Sequence, residues 1–167
     1  MKKFLAFLTI FSILFTVAGC TDSKDEPAET EDKVAELTDS IKSKVYNSVR
    51  VAELKVNEVF HKEVAEDGET PIINANFAEE EKTVAFLSNY YSEEIAKDMY
   101  SYYATDEKTA ENQMIIKKEP YFTPSFLETN QEDVTIEGNE TKATIKTADH
   151  TYQLELQADQ YVITSIK

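Results

Sequence analysis

The spacing of apolar residues changes character three times along this chain. It begins as an unbroken run: after Met1-Lys2-Lys3, residues Phe4 to Ala18 carry no charge, and Gly19-Cys20 leads straight into the polar Thr21-Asp22. A basic end, an apolar stretch of about fifteen residues and a small-residue cut read as a secretory signal, since a membrane-spanning helix needs roughly twenty residues. Thr21 to Lys33 then holds six acids, two lysines, one proline and no large apolar residue. It buries too little to offset its chain entropy and is expected to be a disordered acidic tether.

From Val34 the spacing becomes helical. Val34, Leu37, Ile41, Val45, Val49, Ala52, Val56 and Val59 step by three or four, which predicts one amphipathic helix to about His61. Local alternation over Val49–Val51 marks Ser48–Val51 as the place where it would break. Lys42, Lys44, Arg50, Lys55, Glu36, Glu53 and Glu58 fall mostly off the stripe and read as a solvated face. Glu66 to Pro71 is a breaker, followed by a loop from which Ile72, Ile73 and Phe77 dip inward. Glu79-Glu80-Glu81 opens a second helix, its acids complementing the helix dipole. Ser92-Glu93-Glu94 is an N-cap with acids behind it and starts a third, with Ile95, Met99 and Tyr102 or Tyr103 on its buried stripe. Asp106–Asn112 reads as loop, Gln113–Lys117 as a first strand, and Glu119–Phe126, with two prolines, as an extended segment crossing a sheet edge.

The last third alternates with period two. Val134–Glu137, Lys142–Thr147, Tyr152–Gln157 and Tyr161–Ile166 predict four strands on short hairpins, with Gly138-Asn139 as a two-residue type II′ turn and Ala158-Asp159 as another. Helices first and an antiparallel meander after give an α+β class: N-terminal helices packed on a C-terminal antiparallel sheet of four to five strands.

Charge and composition narrow the function. All 32 acidic residues follow Cys20, whereas Lys2 and Lys3 precede it, so the formal charge of −15 becomes −17 once the signal is gone. Such a surface repels nucleic acid and anionic headgroups and favours a basic partner. The single cysteine allows no disulfide within the chain. His61 and His150 stand far apart, no His-Glu-x-x-His is present, and three glycines build no phosphate loop, so neither a metal nor a cofactor is expected.

Val17-Ala18-Gly19-Cys20, an aliphatic residue then Ala, Gly and Cys, resembles the lipobox of bacterial lipoproteins. In that family the thiol takes a diacylglyceryl group, the preceding residues are removed and the cysteine becomes the N-terminus. The resemblance implies a signal peptide over 1–19, lipid on Cys20, a linker over 20–33 and a domain over 34–167, anchored in the membrane on its extracytoplasmic face. Two acyl chains hold firmly where one holds marginally. Over 34–167 the element order, the Leu-Ser-Asn-Tyr-Tyr-Ser-Glu-Glu segment at 87–94 and the terminal Gln-Tyr-Val-Ile-Thr-Ser-Ile strand at 160–166 resemble the nuclear-transport-factor-two-like and cystatin-like folds found in small lipoproteins of Gram-positive bacteria. Segment 86–103 and Tyr121–Phe126 are similar to secreted inhibitors of cell-wall endopeptidases.

One chemical feature stands out. Tyr90, Tyr91, Tyr100, Tyr102, Tyr103, Tyr121, Phe122 and Phe126 crowd about forty residues, and three tyrosines on one helix cannot all face a core. Exposed tyrosine joins apolar area to a hydroxyl and suits recognition; Tyr90, Tyr102, Tyr121 and Phe122 are the candidate partner-binding residues. The expectation is a non-catalytic envelope protein that binds a protein or small ligand. Its rivals are an inhibitor of cell-wall endopeptidases, a pocket enzyme using Asp98, Glu94 or His150, and a purely structural surface protein. A deep pocket with two buried carboxylates, or one and His150, separates the enzyme from a filled core with exposed tyrosines.

Overall fold

The computed structural model describes residues 37–167. The expected signal segment 1–19, lipid on Cys20, linker over 20–33 and helix start at Val34 lie outside the described residues. The first helix, α1, spans Asp39–Phe60, with the Thr38 side chain accepting from the Ile41 N–H at 3.3 Å. It runs without the break expected at Ser48–Val51. Val45, Val49, Ala52, Val56 and Val59 are buried, as the predicted stripe has them, and Phe60 beyond the stripe is buried too. Burying each valine or phenylalanine contributes on the order of 1.5–3 kcal/mol.

α1 lies against a four-stranded antiparallel sheet made of β5 (Thr135–Gly138), β6 (Lys142–Lys146), β7 (Thr151–Gln157) and β8 (Gln160–Ile166), in that spatial order. Ala143, Ile145, Tyr152, Leu154, Tyr161 and Ile163 fill the space between. Gln153 pairs with Ser165 but Leu154 pairs with Ile163, so Thr164 is an extra residue in β8. Such a bulge sharpens local twist. The outer edge of β8 is covered at one point: Ile163 N–H donates to Tyr90 C=O at 2.9 Å and Ser92 N–H to Ile163 C=O at 2.8 Å. The fold is α+β with a C-terminal antiparallel sheet.

The two shorter helices are α2 (Glu80–Leu87) and α3 (Glu93–Tyr103), the latter capped by Ser92 as expected. A second, smaller antiparallel sheet in the order β1-β2-β4-β3 joins Glu63–Val64, Pro71–Ile72, Met114–Ile116 and Ala104–Lys108. β3 occupies part of what reads as loop in the sequence. Its residues are too polar and too few to show a period. Between β1 and β2 the Asp67 carboxylate accepts from the Thr70 hydroxyl and from two backbone N–H groups. The Thr70 hydroxyl, then those N–H groups, hold its pKa down to about 2. No helix among the described residues is long and apolar enough to cross a membrane.

The β5–β6 connection departs from the expected two-residue turn. Gly138 still belongs to the ladder, paired with Ala143, and Asn139-Glu140-Thr141 makes the bend. The Asn139 side-chain oxygen accepts from Thr141 N–H, Lys142 N–H and the Thr141 hydroxyl. An Asx turn has replaced the glycine turn. Gly138 is required for a different reason: its φ is 122°, and a Cβ there would sit 2.2 Å from the Lys142 carbonyl oxygen. Gly138→Ala is expected to cost at least about 2 kcal/mol in urea denaturation. Gly68→Ala, also at positive φ but with open space around it, should cost only about 1 kcal/mol. Equal losses at the two positions would show that the close approach at Gly138 does not matter.

Candidate recognition surface

The segment 120–131 has no strand of its own. It passes alongside α1 through the cis Thr123–Pro124 bond and two short 3₁₀ turns, Phe126–Glu128 and Gln131–Asp133. Backbone groups in such a strap need partners, and α1 side chains provide them in sequence. Gln131 bonds Ser43 at 3.1 Å. The Tyr46 hydroxyl donates to Thr129 C=O at 2.5 Å. Arg50 Nη1 donates to Leu127 C=O at 3.0 Å. Glu53 accepts from the Ser125 hydroxyl at 2.5 Å and from Phe126 N–H at 2.8 Å. Positions 43, 46, 50 and 53 step by three or four, so one side of the helix reads the strap from end to end.

Glu53 corrects the sequence reading. It is not on a solvated face but buried, at 6% exposure, with each carboxylate oxygen committed to the strap. The periodicity gave no sign of this, because a charged residue one position off an apolar stripe looks the same whether it meets water or another segment. Arg50 likewise bonds the strap rather than standing free.

The strap brings Tyr121 against Tyr102 of α3. Tyr121 N–H donates to the Tyr103 hydroxyl at 2.7 Å, and His61 Nε2 lies 2.9 Å from the same oxygen. Tyr103 is buried, stacked on Phe60 with centroids 4.2 Å apart. Burial raises its pKa to about 12, with the Tyr121 N–H acting the other way. Tyr102 and Tyr121 stand partly exposed above it, edge to face at 5.3 Å. Lys117 Nζ lies 4.7 Å from the Tyr102 ring centroid, within cation–π range. Phe122 is buried, packed edge-on under Tyr121 and against Tyr91. It therefore supports the surface from below and offers no contact of its own. Tyr90 is not part of this group. It lines a separate groove of about 450 Å³ with Lys44, Asn47, Ser48, Val51 and Gln160.

The enzyme candidates do not converge. Glu94 and Asp98 are exposed on α3. His150 lies at a recess of about 120 Å³ with Asp133, Asp149 and Tyr152, and its Nε2 is 3.1 Å from Thr123 C=O. Between helix α1 and the large sheet stands packed aromatic core: Phe126 meets Tyr46 and Tyr152, each at 5.3 Å. Among the described residues no three His, Cys, Asp or Glu side chains are arranged to hold a metal ion.

Two measurements check this construction. Glu53→Ala leaves the Ser125 hydroxyl and Phe126 N–H without an acceptor and should cost about 3 kcal/mol in urea denaturation. Glu53→Gln, whose amide can accept from Phe126 and donate to Ser125, should cost about 1 kcal/mol. A loss from Glu53→Ala no larger than that from Glu53→Gln would remove Glu53 from its holding role. His61 gives a pH dependence. Packing against Tyr103 lowers its pKa from 6.5 through desolvation, so the fold favours the neutral ring. That stability is present above about pH 6.5 and is lost as pH falls from there through the lower folded value. NMR titration should place the His61 midpoint below 6.5, and His61→Gln should lose less stability than the parent between about pH 7 and 5. A midpoint at or above 6.5 contradicts the assignment.

No protein-family model matches this chain, and no curated protein or solved structure shows significant similarity to it. What it does must be argued from its own residues.

Proposed function

We propose that this chain is a lipid-anchored protein on the extracytoplasmic face of a bacterial cell membrane, and that its α+β domain binds an envelope partner without catalysis. The anchor is read from Val17-Ala18-Gly19-Cys20 behind an apolar run. The observation that carries the binding role is the Tyr102–Tyr121 pair. It is partly exposed, yet fixed from below by Tyr103, Phe122 and the strap. Rigid aromatic area with hydroxyls at its rim loses little entropy on contact and is what binding hot spots are made of. The charge of −17 favours a basic partner, and an inhibitor of a basic cell-wall hydrolase is one protein of that description. The absence of catalysis is supported by how the ionisable groups are used. Glu53 is occupied by the strap, His150 lies against the Thr123 carbonyl, and Glu94 and Asp98 face solvent.

The test has two arms on intact cells. Cys20→Ala should abolish labelling by a radioactive fatty acid and release the chain from the membrane fraction. Persistence of label would defeat the anchor. A photo-crosslinking amino acid at Tyr102 or Tyr121 should capture an envelope protein, and Tyr102→Ala should weaken that partner's binding by about thirtyfold, the effect of losing a hot spot of roughly 2 kcal/mol. Crosslinks from neither position, with the same probe at Tyr90 succeeding, would move the interface to the other groove.

A further inference from the structure

Helix α1 has a third side. One side packs on the large sheet and a second reads the strap. Lys44, Asn47, Ser48, Val51, Leu54, Lys55 and Glu58 make the third, again at steps of three or four. Val51 is 42% exposed and Leu54 51%, two of the three exposed large apolar side chains among the described residues, and they stand within one turn of each other. This side is not flat. Lys44, Asn47, Ser48 and Val51 border the groove of about 450 Å³ that Tyr90 and Gln160 close from across it. Its far wall is held in place: Tyr90 C=O accepts from Ile163 N–H, and Gln160 Nε2 donates to Asn89 C=O, each at 2.9 Å. The same stripe therefore carries a hollow before Val51 and an apolar knob, Leu54, just after it. Its charges are also unequal at the two ends. Lys44 forms no ion pair among the described residues, whereas Glu58 closes the other end, bonded to Lys55 at 2.8 Å.

We propose that this side of α1 is where the chain associates with a second copy of itself, the two α1 helices lying antiparallel about a two-fold axis through Val51. A two-fold contact uses one patch twice, so the patch must be complementary to itself. Residues equally far before and after Val51 then face each other. Leu54 comes against Asn47 and Ser48 of the second copy and so enters its groove, and the reverse contact is made at the same time. Lys44 and Glu58 each stand seven residues from Val51, roughly 10 Å along the axis, so each lysine meets the other copy's glutamate and two ion pairs form. Lys55 faces Asn47 and Ser48, and no like charges are opposed. A parallel pairing would set Lys44 against Lys44 and Leu54 against Leu54, with both grooves unfilled. A small acidic ligand at Lys44 would leave Leu54 in water, whereas a second copy covers knob and hollow together. Repulsion between two acidic chains is screened over roughly 8 Å at physiological ionic strength, and this side of α1 carries two lysines to one glutamate. The inference stands apart from the binding role of the tyrosine pair and does not rest on it.

Disulfide trapping of the purified full-length chain tests this, in neutral detergent with micelles in large excess over protein and at physiological salt. On mild oxidation Val51→Cys, at the axis, should give a disulfide-linked dimer of two copies well above the level of the parent, which reports any background from Cys20. Val64→Cys, at an equally exposed apolar position off α1, should stay at the parent's level. With Val51→Cys present, Lys44→Glu and Glu58→Lys should each cut the dimer yield about fivefold, and the two together should restore most of it, because the exchange rebuilds both ion pairs across the axis. Misfolding could mimic the single losses but not that recovery. Leu54→Ala should cut the yield about tenfold by removing the knob from both copies. A dimer from Val51→Cys no stronger than that from Val64→Cys, or a charge exchange as weak as the single reversals, would overturn the proposal. Either result leaves the crosslinks from Tyr102 and Tyr121 unaffected.

Discussion

The carboxylate of Glu53 is the point on which the rest of the arrangement turns. A strap with two prolines cannot join a ladder over its whole length, so its N–H and C=O groups must find other partners or be solvated. Here the partners are helix side chains. Glu53 takes Phe126 N–H and the Ser125 hydroxyl, Arg50 and Tyr46 answer the carbonyls of Leu127 and Thr129, and Ser43 ends the series at Gln131. Hydrogen bonds to a charged group are worth about 1.5–3 kcal/mol, against roughly 1 for neutral ones. The buried end of the series is therefore its strongest point, and the solvent-exposed Gln131 end its weakest. Pinning the strap in turn closes the core, because Phe122 and Phe126 are the side chains it delivers beneath α1 and against Tyr91 and Tyr152.

The same constraint positions the exposed tyrosines. Tyr121 is the strap residue whose N–H meets the Tyr103 hydroxyl, and Tyr103 is held by Phe60 at the end of α1. α3 thus holds one end of the strap and α1 the rest. The edge-to-face contact of Tyr102 with Tyr121 joins α3 to the strap at the surface. A recognition surface assembled from two segments far apart in sequence is rigid only if both are fixed independently. Here α3 is fixed by Met99 and Tyr103 in the core, and the strap by its bonds to α1 from Ser125 to Thr129 as well as to Tyr103.

The elements legible in the sequence are those whose partners repeat at a fixed interval. The α1 stripe, the Ser92 cap and the meander of β5 to β8 all follow from spacing, since each apolar residue meets the same core as its neighbour one period away. β1, β2 and β3 were not legible: a two-residue strand has no period, and Ala104–Lys108 is mostly polar. Gly138 was recognised as special but for the wrong turn. The side-chain cap from Asn139 and the backbone approach at Lys142 are contacts that no dipeptide rule encodes. Tyrosine crowding was visible, and so was the rule that not all could be buried. Which ones stay partly out was not, because Tyr121 is held by the Tyr103 hydroxyl, and the strap beyond it by Glu53, more than seventy residues away in sequence. Glu53 shows the general limit: charge predicts solvation unless a distant segment supplies donors.

The acidity of the chain also bears on how such a domain would live beside a membrane. Electrostatic repulsion between an acidic domain and anionic headgroups decays over roughly 8 Å at physiological ionic strength. Beyond that distance most of the repulsion is screened. The proposed anchor on Cys20 is then compatible with an acidic domain, whose charge would act mainly on mobile basic partners that come within a screening length. There charge and the proposed tyrosine surface would divide the work by range. Attraction to the acidic surface weakens with salt, while apolar contact at the proposed Tyr102–Tyr121 surface does not. A partner that uses both should therefore lose association rate as salt rises while keeping much of its residence time, which distinguishes it from one attracted by acidity alone.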